Sequence, residues 1–428
     1  MGMDRSVDGG RSVVSPAVAR ENAPDHARRR NASAWIRAYW VDCVLLIVLA
    51  IGATAISTMQ FLRLDFDAIA TDWDLWFGAD IPRIILTSSD RTSVEQQRNS
   101  VHPLWALLVS FPQIILSNMG LDEKQLAMLL ISAGTFVLVA VFYAAVRLSG
   151  SRRPETVAAV LLFVSTAATM AWTIVPETYT LGAVSLLIPF VWLAVPRGRH
   201  DAWSGPLQSA ISLSITLTNW FAGITAAVIA SGWRRAVRFT VYAFASVAAL
   251  AVLQSWIFPN AGKFIGIGGE GGFFSPEITE RPIARLGSLL VQPVLMPAPA
   301  LLGDEEKMGI AFADVLPDWD AWSILAATGW VVLLIAGLTM SWGPHRRLKV
   351  FVLIALGFQY LLHSVYGDVT FLYSLHFAPF LVLVATGATH RRWRWRWPVL
   401  ALMAVTAGAT LVSNAPELAT AISLTWAA

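Results

Sequence analysis

Cysteine is almost absent from this chain of 428 residues: Cys43 is the one thiol, so neither a disulfide framework nor a cysteine metal site is available. Histidine is also scarce, with seven residues scattered and none in a metal-ligand spacing such as His-x-x-x-His, which excludes a zinc site. Charge is thin at 14% of residues, against 56% hydrophobic residues and a mean hydropathy of +0.59. One soluble core with a wetted surface cannot accommodate that balance. What the chain has instead is a series of long apolar runs joined by short connectors.

Every second connector is basic. Arg152-Arg153, Arg197 with Arg199, Arg234-Arg235 with Arg238, Arg346-Arg347 with Lys349, and Arg391-Arg392 with Arg394 and Arg396 form one series. The connectors between them, around Pro176–Tyr179, Asn219-Trp220 and Gly367–Thr370, carry no basic residue. This is the positive-inside pattern of a chain that crosses a membrane many times. With a span needing about 20 apolar residues, the expected spans are 38–61, 123–147, 156–174, 180–196, 206–218, 220–232, 236–258, 320–341, 349–366, 371–388 and 397–414. The fold class is therefore all-α, a polytopic transmembrane helical bundle of about eleven spans. Arg28, Arg29, Arg30 and Arg37 before the first span place the N-terminus in the cytoplasm, and an odd span count places the C-terminus outside.

Two stretches deviate. Residues 103–118 are apolar but short and contain Pro103 and Pro112, so a re-entrant or interfacial helix is expected there. The pair 206–218 and 220–232 reads as a broken hairpin that falls short of the far surface. Residues 1–33 are polar and without periodicity, as in a disordered cytoplasmic tail. The transmembrane domain then occupies 34–428, with two long external loops, 62–122 and 259–319. The net charge of +3 and a pI near 9.2 belong to the cytoplasmic connectors and anionic headgroups. Trp393-Arg394-Trp395-Arg396-Trp397 reads as an interfacial anchor, not as a nucleic-acid site.

The first loop is dense in carboxylates: Asp65, Asp67, Asp72, Asp74, Asp80, Asp90 and Glu95. Within it, Asp-Trp-Asp-Leu-Trp-Phe-Gly-Ala-Asp-Ile-Pro-Arg at 72–83, followed by Val-His-Pro-Leu-Trp at 101–105, resembles the first external loop of the GT-C superfamily of polytopic glycosyltransferases. That superfamily includes the protein O-mannosyltransferases and the aminoarabinose lipid A transferases. The likeness extends to Glu177 and Tyr179 in a short external turn and to Tyr-Ser-x-His-Phe at 373–377. It implies an acidic residue soon after the first span as catalytic base or metal-site carboxylate, with a His-Pro element opening a juxtamembrane helix downstream.

On that resemblance Asp80 is the first candidate for the base, since its spacing to His102 and the nearby Arg83 fits the layout, with Asp72 and Asp74 next. Asp80 is equally read as a solvated loop carboxylate or a helix cap, and for Asp72 and Asp74 that plainer reading is the favoured one. Asp72 and Asp74 form an Asp-x-Asp pair that could hold a divalent cation such as Mg or Mn, which the reaction does not require.

The implied donor is a sugar on a polyprenyl phosphate, because nucleotide sugars stay in the cytoplasm. Arg83 could steady its phosphate or pair with a neighbouring Asp. His102 stands where a helix N-terminus suits a phosphate or a sugar hydroxyl, and equally where His-Pro fixes a turn. Glu177, in a connector of a few residues, is costly at that depth without a partner or a task. Tyr179 and Trp220 read as aromatic-belt residues, with Asn219 beside them a binding candidate.

Gly266–Gly272 in the second loop lacks the strand and helix of a nucleotide-binding turn and reads as a hinge or lid, with Lys263, Arg281 and Arg285 as phosphate candidates. Tyr373 and His376 are three apart on one helical face and could line the donor cavity, near His363 and Tyr366.

The expected activity is an inverting transfer of a hexosyl or pentosyl group to a glycan, lipid or protein acceptor of the envelope, at a bacterial cytoplasmic membrane. Arg-over-Lys usage and the lack of disulfides fit that location. The rivals are a secondary transporter or lipid-linked sugar flippase, and a non-catalytic scaffold of the same shape. Transport predicts ionisable groups within the spans, and here the acids collect in an external loop.

Overall fold

The computed structural model describes residues 25–196, 202–261, 282–303, 308–312, 317–340, 342–366, 370–390 and 396–428. It is 77% helical. Two units are distinguished, Met1–Leu45 and Leu46–Ala428, with helix α1 (Asp25–Phe61) supplying the described part of the first. The helix thus begins inside the segment expected as a tail, and residues 1–24 of that expectation lie outside the described residues.

The second unit continues with α2 (Phe66–Thr71), α3 (Ile81–Ser89), a 3₁₀ turn at Val94–Ser100, a π-helical turn at Ala106–Ser110 running into α4 (Phe111–Asn118), and α5 (Glu123–Leu148). Next come α6 (Arg153–Val164), α7 (Ala167–Trp172), α8 (Tyr179–Ala194), α9 (Ser204–Ile215), α10 (Trp220–Ser231) and α11 (Trp233–Ile257). Then follow α12 (Pro282–Leu290), the strands β1 (Pro299–Gly303) and β2 (Met308–Phe312), α13 (Ala321–Thr339), α14 (Arg346–His363), α15 (Ser374–Thr386) and α16 (Arg396–Leu424).

Among the described residues, six helical segments are long and apolar enough to cross a membrane: Tyr39–Phe61, Glu123–Leu148, Trp233–Ile257, Ala321–Thr339, Thr370–Thr389 and Arg396–Leu424. Ala106–Asn118, Tyr179–Ala194 and Leu217–Ser231 are apolar but shorter. The chain is a multi-pass membrane protein by these helices.

Local chemistry sets several boundaries. Asp122 accepts from the Gln125 amide at 2.8 Å while the Gln125 side chain accepts from the Asp122 amide at 3.1 Å, a reciprocal cap that starts α5. The run 156–174, expected as one span, is divided at Ser165-Thr166. There the Thr166 hydroxyl caps α7, and the Ala167 and Ala168 amides donate to the Val294 and Pro293 carbonyls. Buried Asn414 of α16 holds the break, donating to the Ser165 and Val294 carbonyls at 2.9 and 2.7 Å and accepting from the Met296 amide at 2.9 Å. A break in an apolar helix is tolerated where side chains satisfy the freed backbone groups. The pair 206–218 and 220–232 is likewise interrupted, by a turn at Leu217–Asn219.

Helix α15 is buried along its whole length, as a helix apolar on every side should be. Its neighbour α13 approaches closely because Gly337 has no side chain: a Cβ there would lie 1.8 Å from the Val384 carbonyl oxygen.

The two long loops, expected as separate segments, are joined. Strands β1 and β2 form an antiparallel hairpin, and Ile310 exchanges backbone hydrogen bonds with Leu75 and Phe77 of the first loop at 2.7 and 3.0 Å. Asp74 and Phe77 both take positive φ, 63° and 50°, a strained state for non-glycine residues. Phe77 is anchored there among Trp76, Trp172, Phe312 and Phe371. That turn delivers Asp80.

Candidate site at the first loop

Asp80 occupies the N-cap position of α3, but its carboxylate makes no cap hydrogen bond. It turns toward cations instead. Arg98 Nη1 donates to Asp80 Oδ2 at 2.5 Å, and Arg83 Nε lies 3.5 Å from the same oxygen. No described residue is bonded to Asp80 Oδ1, and the side chain is 25% exposed. Arg83 is buried, with Nη2 at 3.8 Å from Glu177 Oε1.

Glu177 is buried at the start of α8. Its Oε2 accepts from the Thr178 amide at 2.5 Å and from the Thr178 hydroxyl at 3.1 Å. Glu177 Oε1 and Arg83 Nε have no hydrogen-bond partner, so the pair touches without closing. Burial pushes the Glu177 carboxyl above its ordinary range, with the Arg83 charge opposing that and the Asp80 charge adding to it. The four groups Asp80, Arg83, Arg98 and Glu177 form one chain of opposite charges in which buried Arg83 Nε makes no hydrogen bond.

His102 faces the same recess from the other side. Its Nδ1 donates to the Ile215 carbonyl at 2.9 Å, which fixes the tautomer and makes Nε2 an acceptor. Burial first and the Arg83 charge second depress its pKa from 6.5 to about 3, outweighing the hydrogen bond to Ile215, so the ring is neutral at physiological pH. The segment carrying it is stitched to the bundle. Leu104 and Leu217 amides donate to the Ser214 and Val101 carbonyls, and buried Gln254 of α11 donates to the Pro103 carbonyl while accepting from the Leu107 amide, both at 2.9 Å.

The recess bounded by Arg83, Glu95, Gln96, Arg98, His102 and Trp105 holds about 10 Å³, the room of one water. Leu104 helps to line an apolar cavity of about 440 Å³ whose other walls are Leu108, α9 and α11.

Below Glu177 a second polar layer runs into the bundle. Tyr179, expected in the aromatic belt, is packed edge-on to Tyr373 and His376, with ring centroids 6.0 and 5.8 Å away. His376 sits over Gly182, where a Cβ would be 2.4 Å from its Nε2. Asn219 donates to the Gly182 carbonyl and to the Ser185 hydroxyl, both at 3.0 Å. Asn219 Oδ1 and His376 Nε2 are buried without hydrogen-bond partners.

The structure thus gathers Asp80, Arg83, His102 and Glu177, with Tyr373, His376 and Asn219 in the adjoining layer. It leaves Asp72 apart: that residue is exposed at the end of α2, bonded to the Thr71 hydroxyl. The Asp74 carbonyl accepts from the Gly78 amide at 3.1 Å. Among the described residues no three His, Cys, Asp or Glu side chains converge, so no third side chain of these types joins Asp72 and Asp74.

Lys263 and Arg281 lie outside the described residues, as does Gly266–Gly272, and Arg285 falls in α12 with its side chain not described. Arg98 was not a sequence candidate. Its signal was the polar spacing Glu95, Arg98, His102 ahead of an apolar helix. No protein-family model, curated protein or solved structure matches the chain.

Proposed function

We propose that the protein is a GT-C-like membrane glycosyltransferase of about eleven spans, with its N-terminus in the cytoplasm, its C-terminus outside and its site at the external face of a bacterial cytoplasmic membrane. It moves a sugar from a polyprenyl-phosphate-linked donor to an envelope acceptor. The observation that carries this reading is the cluster of Asp80 with Arg83, Arg98 and Glu177, beside neutral His102 and a 440 Å³ apolar cavity.

Each part has a task in such a transfer. Asp80 Oδ1, which has no described partner, takes the proton of the acceptor hydroxyl as that oxygen bonds to the anomeric carbon. The bond from that carbon to the phosphate oxygen breaks, and the polyprenyl phosphate leaves with the electron pair. Arg83 and Arg98 meet its charge, worth most in a partly dehydrated site. Glu177 positions Arg83, and neutral His102 lines the recess behind the cluster. The apolar cavity next to Leu104 suits the lipid end of the donor. The one-water recess behind the cluster is too small for a sugar, which would seat on the open side of Asp80.

A second reading, a transporter or flippase, draws on the buried, unpartnered Asn219 Oδ1 and His376 Nε2 inside the bundle. One experiment separates them. Membranes holding wild type or Asp80→Asn are given radiolabelled polyprenyl-phosphate sugars, and label in envelope fractions is scored. Transfer by wild type and its loss in Asp80→Asn at equal expression is expected. Equal transfer by both removes Asp80 as the base, and label that crosses the membrane without being transferred favours the second reading.

A further inference from the structure

Away from the ion cluster, and sharing no lining residue with it, a cavity of about 470 Å³ lies between α1, α5, α6, α7 and α16. That is within the ~300–1,000 Å³ range of small-molecule sites. Its long walls are α1 from Val48 to Gln60 and α16 from Ala404 to Leu418, each roughly 20 Å at the helical rise. Gly52 and Gly408 line it, and a Cβ on either would meet nothing within 4 Å, so there is open space at both for a larger side chain to fill.

Val48, Ile56 and Leu411 line the cavity and are also exposed on the outside of the bundle. On helices that cross a membrane, that outer face meets hydrocarbon. The cavity therefore opens sideways onto the bilayer. The polar groups inside are already satisfied, Ser57 with Thr173 at 2.8 Å and Thr135 with the Thr173 carbonyl at 3.4 Å, so the lining offers little to water.

The end near the close of α1 is different in character. Gln60 lines it, and its Oε1 accepts from exposed Arg63 one turn on, at 3.0 Å. The Arg63 carbonyl accepts from the Trp426 indole at 2.9 Å, a tryptophan in the position of a membrane-interface anchor. Among the described residues no carboxylate lies within ion-pair distance of Arg63. A hydrocarbon-lined slot about 20 Å long thus ends at an interfacial cation whose side-chain partner is neutral.

We propose that this cavity binds one acyl chain of an anionic phospholipid drawn from the surrounding bilayer, with the headgroup phosphate against Arg63. The slot's length of roughly 20 Å matches one extended acyl chain, and the guanidinium gives the preference for negative charge. The assignment rests on membrane embedding alone and stands or falls independently of glycosyl transfer.

The test reconstitutes the full chain in nanodiscs of phosphatidylcholine with phosphatidylglycerol, or with farnesyl phosphate in its place, and counts retained lipid by native mass spectrometry. Wild type should keep one phosphatidylglycerol. Gly52→Leu with Gly408→Leu should lose it, and Arg63→Gln, an exposed change that leaves packing alone, should keep a lipid without preferring the anionic one. Retention by the double glycine variant equal to wild type, an unchanged preference in Arg63→Gln, or farnesyl phosphate held in place of phosphatidylglycerol would each overturn the assignment.

Discussion

Two buried ion pairs stand at either end of the α6–α7 segment, and they are built to different standards. Near the start of α6, Glu155 is matched by Arg396 of α16 through both carboxylate oxygens, Nε to Oε1 and Nη2 to Oε2, the second at 3.3 Å. Beyond α7, Glu177 meets Arg83 through one oxygen at 3.8 Å, and that oxygen and Arg83 Nε make no hydrogen bond. A closed two-point pair offsets its own dehydration and ties two helices together. An open one keeps charge and donors available for something that binds. Burial is common to both pairs; what separates them is the count of satisfied atoms.

The comparison breaks most sharply at Asp80. Asp80→Asn should lower transfer about 100- to 10,000-fold, the range for a lost general base, with the melting temperature nearly unchanged in detergent. A melting point that falls with activity would make Asp80 structural, like Glu155.

The closed pair should answer in the opposite way. Arg396→Met leaves Glu155 buried and uncompensated, a change costing about 3–5 kcal/mol, read as a lower melting temperature with transfer per folded molecule preserved. Adding Glu155→Gln should recover most of the loss, and no recovery would mean that the pair is not what holds α6 to α16.

Glu177→Gln sharpens the contrast further. Because burial raises the Glu177 pKa above 4.5, the folded state holds that proton more tightly than the unfolded state. Stability therefore falls as pH rises through the folded pKa. The glutamine variant should remove this dependence and melt at or above wild type at neutral pH, while the Michaelis constant for donor rises as Arg83 loses its positioning partner. An unchanged Michaelis constant would take Glu177 out of the site.

At neutral pH the weakest effect belongs to His102, whose contribution shows only in acid. Its folded pKa of about 3 lies below the ordinary 6.5, so between those values the unfolded chain binds the proton first and stability falls with falling pH. His102→Gln should flatten the melting profile across that window. A wild-type profile already flat there would show that the ring is not buried as described.

Some of this was legible in sequence because it depends on composition along a line. Apolar runs and alternating basic connectors pointed to a helical, multi-pass membrane protein; the resemblance of 72–83 and 101–105 to a GT-C loop singled out Asp80, Arg83 and His102, and the cost of a carboxylate in a short connector singled out Glu177. Other features were illegible because they depend on partners far apart in the chain. The break at Ser165-Thr166 looks like an uninterrupted span until Asn414, 249 positions away, takes the freed carbonyl. Tyr179 looks like a belt residue until Tyr373 and His376 close over it. The hairpin at 299–312 is too short to stand out, and it is held by backbone bonds to 75–77.

By itself, then, the sequence determined that this chain lives in a membrane as helices, since hydrocarbon leaves the backbone few other ways to satisfy its hydrogen bonds. Tertiary structure alone decided which charges are spent on one another and which stay open. Arg396, readable only as an interfacial cation, is consumed by Glu155, whereas Arg83 is left between Asp80 and Glu177 with donors unfilled. The physical reason is that a hydrogen bond or an ion pair is decided over a few ångströms in space, a distance that positions in a chain do not record.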